Sequence, residues 1–181
     1  MNITVFLGSR AGRDPAIRAA LVELAAWIGE AGHTLVYGGS RVGLMGVLAE
    51  TAKAHGAKVI GIEPRFFVEA CLQFDGADEL IVTEDMADRK DRLIRMADAV
   101  IAFPGGMGTL EELSQALSMV NLGHAAPVCI VYNVNGYYDS LRALLDRMVA
   151  DGFYPAAQRD AVAFAETLSD VRAAVEGGVR A

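Results

Sequence analysis

Cysteine is scarce in this chain: Cys71 and Cys129 stand far apart and in no CxxC spacing, which excludes a disulfide framework and a zinc site built on paired thiolates. Lysine is nearly as scarce. Lys53, Lys58 and Lys90 face thirteen arginines, so chemistry that needs an amine nucleophile has few candidates. The net charge of −7 leaves no basic surplus for phosphate-backbone contacts, and no nucleic-acid partner is expected. Apolar residues make up 53% of the chain, yet they never run to the ~18 consecutive positions of a membrane span. Met1 leads into NITVFLGSR with neither a basic leader nor a small-residue cleavage site, so no secretory signal is visible. The expectation is a cytoplasmic protein with no membrane partner and no metal site, whose residues 1–181 form one domain.

What is present is a regular alternation. Short runs rich in valine and isoleucine at 3–7, 34–37, 58–62, 80–82, 99–103 and 128–132 read as buried strands. A further short strand falls on AVAF near 161–164, and a final helix follows Ser169. Helical patterns separate the strands. The first, DPAIRAALVELAAWIGEAG, opens with Asp14 as N-cap and Pro15 at the first helical position, and closes at Gly32. Strands alternating with helices predict an α/β chain with a Rossmann-like, doubly wound parallel sheet.

In such a sheet, ligands gather outside the carboxyl ends of the strands. Three junctions there are rich in glycine or small residues: LGSRAG with Ser9, YGGSRVGLMG with Gly39 and Ser40, and FPGGMGTLEE. Glycines at 38, 39, 43 and 46 do not match GxGxxG, so a nicotinamide redox enzyme is disfavoured. Tight turning explains glycine at any one junction equally well. In 104–109, Gly105, Gly106 and Gly108 free backbone N–H groups at a helix start and Thr109 adds a hydroxyl, which together make an anion cradle. Phosphate is the natural guest. No lysine follows the glycines as in a Walker A loop, so ATP hydrolysis is not implied.

Projected at about 100° per residue, the helix over 86–97 places Arg89 and Lys90 among its apolar side chains, while Arg92 and Arg95 face away. Arg95 is a candidate i,i+4 partner of Asp91. The helix from Thr109 places Glu112 with Leu113, Ala116 and Leu117, and turns Glu111 and Ser118 outward. Buried unpaired charge costs several kcal/mol, so Arg89, Lys90 and Glu112 must meet partners, water or a ligand. Three readings fit. Thr109 and Glu112 can form a capping box; Arg89 can pair structurally with Glu112 or lay its stem along the sheet edge; or cation, carboxylate and phosphate cradle share one pocket. The last suits a phosphorylated sugar and points to N-glycosidic bond cleavage. His33, His55 and His124 read as structural, with His55 at a helix C-terminus. Phe66, Phe67 and Phe74 suit either a base pocket or the core.

The order and placement of GGSRVGLMG (38–46), MADRK (86–90) and PGGMGTLEE (104–112) resemble the LOG family of cytokinin riboside 5'-monophosphate phosphoribohydrolases, often labelled lysine decarboxylases. The likeness runs from about residue 3 to about 153 and includes NVNGYYDSL at 133–141. It implies a homodimeric enzyme that converts a nucleoside 5'-monophosphate, AMP or an N6-modified relative, to free base and ribose 5-phosphate without metal or nicotinamide cofactor. Carried over by motif, Arg89 and Glu112 are catalytic. Lys90, Gly105, Gly106, Gly108 and Thr109 bind substrate, joined by Ser9, Gly39 and Ser40 at the other junctions and by Glu69 in FFVEA. Ser118 stands where the family commonly has threonine, and its outward projection means that it reaches the site from another direction, for example across a subunit boundary. Ala87 and Asp88 depart from the family's usual MHERK, Ser40 from a third glycine, and the stretch 70–79 departs at the base end of the pocket. The departures leave open which base is accepted, and Ala87 and Ser40 keep a second expectation open, a non-catalytic nucleotide or cofactor carrier. Lysine decarboxylation is disfavoured, because Lys90 is the one site-associated amine and sits beside an arginine.

Overall fold

The computed structural model describes residues 1–125 and 127–178; Ala126 and the last three positions of the expected 1–181 span lie outside them. The elements are β1 (Asn2–Phe6), α1 (Pro15–Glu30), β2 (Thr34–Tyr37), α2 (Gly43–Ala54), β3 (Lys58–Pro64), α3 (Arg65–Glu69), β4 (Glu79–Thr83), α4 (Met86–Arg95), β5 (Ala99–Ala102), α5 (Met107–Asn121), β6 (Val128–Tyr132), a short 3-10 turn (Val134–Gly136), α6 (Asp139–Ala150), α7 (Ala156–Asp160), β7 (Val162–Ala165) and α8 (Leu168–Gly178). The seven strands form one sheet in the order β4-β3-β2-β1-β5-β6-β7. Every pairing is parallel. Among the described residues no helix is long and apolar enough to cross a membrane.

The strands are apolar on both faces because both are covered. Ile3, Val5, Leu35 and Ile101 pack in one layer with Leu24 and Ile28 of α1 and Leu48 of α2. Phe6, Val36, Ile62 and Val100 pack in the other, against Leu93 and Ile94 of α4 and Ala116 of α5. Local signals set where the helices start. Asp14 caps α1 through the Ala16 N–H at 2.8 Å, with Pro15 next, as the sequence predicts. Asp85 caps α4 through the N–H groups of Ala87 and Asp88, both at 2.9 Å.

Winding runs outward from β1 to β4, then returns to the far side of β1 for β5. The loops after β1 and β5 therefore diverge at a switch point, where this class of sheet opens a crevice. They meet at its floor, with the Gly8 N–H donating to the Pro104 carbonyl at 3.3 Å. The turn into α2 packs against the β1 loop so closely that a Cβ on Gly43 would stand 2.1 Å from the Ser9 carbonyl oxygen, at a φ of +59°. Gly43→Ala combines a left-handed backbone with a backbone clash, and is expected to cost more than about 2 kcal/mol in urea unfolding. A loss within a few tenths of a kcal/mol would show that this junction does not set the fit between the two loops.

Candidate active site

Strand ends and helix starts surround a cavity of about 840 Å³, within the range of small-molecule sites. One wall is the 104–109 segment. Helix α5 begins at Met107 with Gly106 as N-cap and no side-chain cap, so its first-turn amides are left for solvent or a ligand. Thr109 thus lies inside the helix, and the capping box read from the sequence does not form. Gly105 is needed for close approach, since a Cβ there would meet Thr109 Oγ1 at 2.1 Å and the Gly8 nitrogen at 2.7 Å. Tyr137, within the NVNGYYDSL stretch, also lines the cavity and donates its hydroxyl to the Gly105 carbonyl at 2.5 Å.

Arg89 and Glu112 meet at the centre. The Arg89 guanidinium donates from NH1 to Glu112 Oε1 at 2.9 Å, from Nε to the Ile62 carbonyl at 3.0 Å and from NH2 to the Gly38 carbonyl at 3.3 Å. Both residues are buried, 7% and 8% exposed, and both line the cavity. Burial pushes the Glu112 carboxyl up, and the charge and hydrogen bond of Arg89 pull against that rise. Burial prevails, so the arrangement sets a carboxyl of raised proton affinity beside a permanent cation.

The sequence-expected residues divide into two groups. Ser9, Ser40, Arg89, Gly105, Gly106, Gly108, Thr109 and Glu112 line one cavity. Lys90, Gly39, Glu69 and Ser118 are not among its lining residues. Lys90 ion-pairs with Glu111, Gly39 is buried against Glu63, and Glu69 and Ser118 are exposed, at the end of α3 and on α5. Arg95 pairs with Asp91 at 2.8 Å, as expected. Glu63 is the residue the sequence reading passed over. It is 1% exposed, lines the cavity, and its Oε2 has no hydrogen-bond partner among the described residues. Burial raises its carboxyl to about 7, with Arg89 pulling it down. A glutamate inside KVIGIEP was the available signal, hidden because the strand was expected to end at Ile62.

A family model described as possible lysine decarboxylase matches residues 45–175. A probable cytokinin riboside 5'-monophosphate phosphoribohydrolase of Oryza sativa subsp. japonica is 39% identical over 171 residues, covering 94% of this chain and 76% of the relative. The chain belongs to the LOG family. A second LOG relative, a cytokinin riboside 5'-monophosphate phosphoribohydrolase of Arabidopsis thaliana, is 39% identical over 160 residues, covering 87% of this chain and 73% of its own. The LOG fold is shared with the molybdenum cofactor carrier protein of Chlamydomonas reinhardtii, at a TM-score of 0.76 and 21% identity, covering 99% of this chain and 98% of that one. The molybdenum cofactor binding protein of Rippkaea orientalis matches at a TM-score of 0.72 and 22% identity, covering 98% and 96%. At such identities the likeness is one of fold.

Two outcomes follow from the buried charges. Arg89→Met leaves Glu112 without its counter-charge and is expected to cost about 3–5 kcal/mol in urea unfolding, most of which Glu112→Leu restores in the double variant. Equal losses in the single and double variants would contradict the pairing as the origin of the cost. For Glu63, an unfolded glutamate ionises near 4.5, whereas the folded carboxyl holds its proton to about 7. Between those values the folded state binds the extra proton, so stability falls as pH rises through the window. Glu112 shifts in the same direction, so the difference between wild type and Glu63→Gln isolates Glu63. The variant's melting temperature should fall less from about pH 5 to about pH 8 than that of wild type, and parallel curves would refute the shift.

Proposed function

We propose that this chain hydrolyses the N-glycosidic bond of a nucleoside 5'-monophosphate, AMP or an N6-modified adenosine monophosphate, to give free base and ribose 5-phosphate. The observation that carries the reading is the buried Arg89–Glu112 pair, held at 2.9 Å on the wall of a cavity that also takes in the uncapped start of α5. The 5'-phosphate sits over the amides of the Gly105–Thr109 segment, where the helix dipole favours an anion. This places the ribose towards Glu112. The Glu112 carboxylate accepts a proton from water attacking the anomeric carbon and faces the positive charge that develops on the sugar. Arg89 holds Glu112 in place and offsets part of the burial that raises its carboxyl.

Relatives named as cytokinin riboside 5'-monophosphate phosphoribohydrolases support this choice of substrate class. Lysine decarboxylation finds no support, because no lysine is among the cavity-lining residues and Lys90 is engaged by Glu111. A homodimer belongs to the same proposal. Met107, Leu122 and Phe153 are exposed apolar side chains, and a second copy would bring the exposed Glu69 and Ser118 within reach of a neighbouring site.

Incubation of AMP with the pure protein should release adenine and ribose 5-phosphate, separable by chromatography. Glu112→Gln should lower turnover by about 10³-fold while phosphate-containing ligands still bind. Recovery of bound nucleotide intact, with no base released, would favour a carrier instead.

A further inference from the structure

The cavity has a second buried carboxyl that the reaction above does not use. Glu63 is the penultimate residue of β3, and β3 lies three strand spacings from β5, or about 14 Å across the sheet. The phosphate cradle follows β5, so Glu63 stands at the opposite end of the cavity. Arg89 and Glu112 lie between them, since the Arg89 fork reaches the carbonyls at the ends of β2 and β3 and the carboxylate of α5. Gly39 packs against Glu63, and the next residue, Ser40, lines the cavity with Leu72, whose carbonyl accepts from its hydroxyl. A nucleotide that sets its phosphate on α5 and its ribose beside Glu112 directs its base to that end.

An unpartnered carboxyl, 1% exposed, with Oε2 lacking any hydrogen-bond partner among the described residues, is costly unless it is neutral or meets a ligand. Resting on the phosphoribohydrolase reading, we propose that Glu63 is the general acid that hydrogen-bonds a ring nitrogen of the base and protonates it as it leaves. The oxygen of water bonds to the anomeric carbon as the bond from that carbon to the base nitrogen breaks. The electron pair of the broken bond stays with the base, which takes the Glu63 proton, and the water's proton goes to Glu112. One proton returned from Glu112 to Glu63 through solvent resets the site.

The environment suits an acid at this position. Arg89 from α4 is the cation facing Glu63. Tyr37 from β2 faces it too, with its own hydroxyl pushed up by burial and by the negative charges of Glu63 and of Glu50 on α2. Burial outweighs Arg89 and holds the Glu63 proton to about 7. The two buried carboxyls of the cavity thus take separate tasks: the arginine-paired one accepts a proton, and the one without a hydrogen-bonded cation gives one up, while the exposed Glu111 pairs with Lys90.

The test uses the intact protein and two substrates, AMP and p-nitrophenyl β-D-ribofuranoside 5-phosphate, whose nitrophenolate departs without acid assistance. Glu63→Gln should slow AMP hydrolysis by about 100-fold or more yet cleave the nitrophenyl substrate at nearly the wild-type rate, which also shows that the variant is folded. The wild-type fall in AMP turnover as pH rises through about 7 should be absent from the nitrophenyl profile. Unchanged rates on both substrates would overturn the assignment, and so would equal losses on both, which mark a residue that only holds the pocket together. A wild-type protein inactive on every nucleotide and on the nitrophenyl substrate overturns the phosphoribohydrolase reading itself, a failure that does not depend on residue 63.

Discussion

The site depends on one guanidinium. Arg89 reaches from α4 to the carbonyls of Gly38 and Ile62 and to the carboxylate of Glu112, joining the ends of β2 and β3 to α5. Burying a cation this deeply is costly, and three directed acceptors offset that cost. The planar fork matters. An ammonium group has no fixed geometry with which to hold two backbone carbonyls and a carboxylate in set directions at once. Because Ile62 belongs to β3 and Gly38 directly follows β2, Glu112 is held by the sheet as well as by its own helix.

Around that tie the fold supplies what the side chains do not. Reversal of the winding between β1 and β5 opens the crevice, and glycines let the loops on its two sides approach within backbone contact. The α5 start then presents amides that no side chain caps. A preorganised cradle of this kind binds an anion without reorganising, so binding energy at the phosphate can position the sugar. Glu63 and Glu112 show the same fold giving two glutamates different surroundings. One has Arg89 at hydrogen-bond distance, and the other feels its charge without a hydrogen bond.

Much of this was legible in the sequence. Val/Ile runs separated by helical patterns predict a parallel α/β sheet, and six of the runs fall on β1 to β6. Helical periodicity marked Arg89 and Glu112 as charges on apolar faces, and both are buried. The starts of α1 and α5 show the limits of local reading. Asp14 and Pro15 were enough for α1, because capping acts within one turn. For α5 the T-x-x-E pattern pointed to a cap at Thr109, whereas the N-cap is Gly106 and the helix begins at Met107. Just before that start Gly105 packs closely against Gly8 of the β1 loop, a contact that no local pattern carries.

Lys90 and Glu63 mark the same boundary from opposite sides. Lys90 sits next to Arg89 and projects into the same arc, yet it is taken up by Glu111 of the following helix. Glu63 lies in a strand whose pattern assigns it no role, and it becomes an unpartnered acid only because the ends of β2 and β3 and the cavity close around it. The sequence alone determined the alternation of elements, the faces they bury and the family, since periodicity, capping and motif order are local properties of the chain. Which charges pair, which stay alone and which reach the cavity was decided by tertiary structure, because those outcomes depend on distances between segments far apart in sequence and on the water that packing removes.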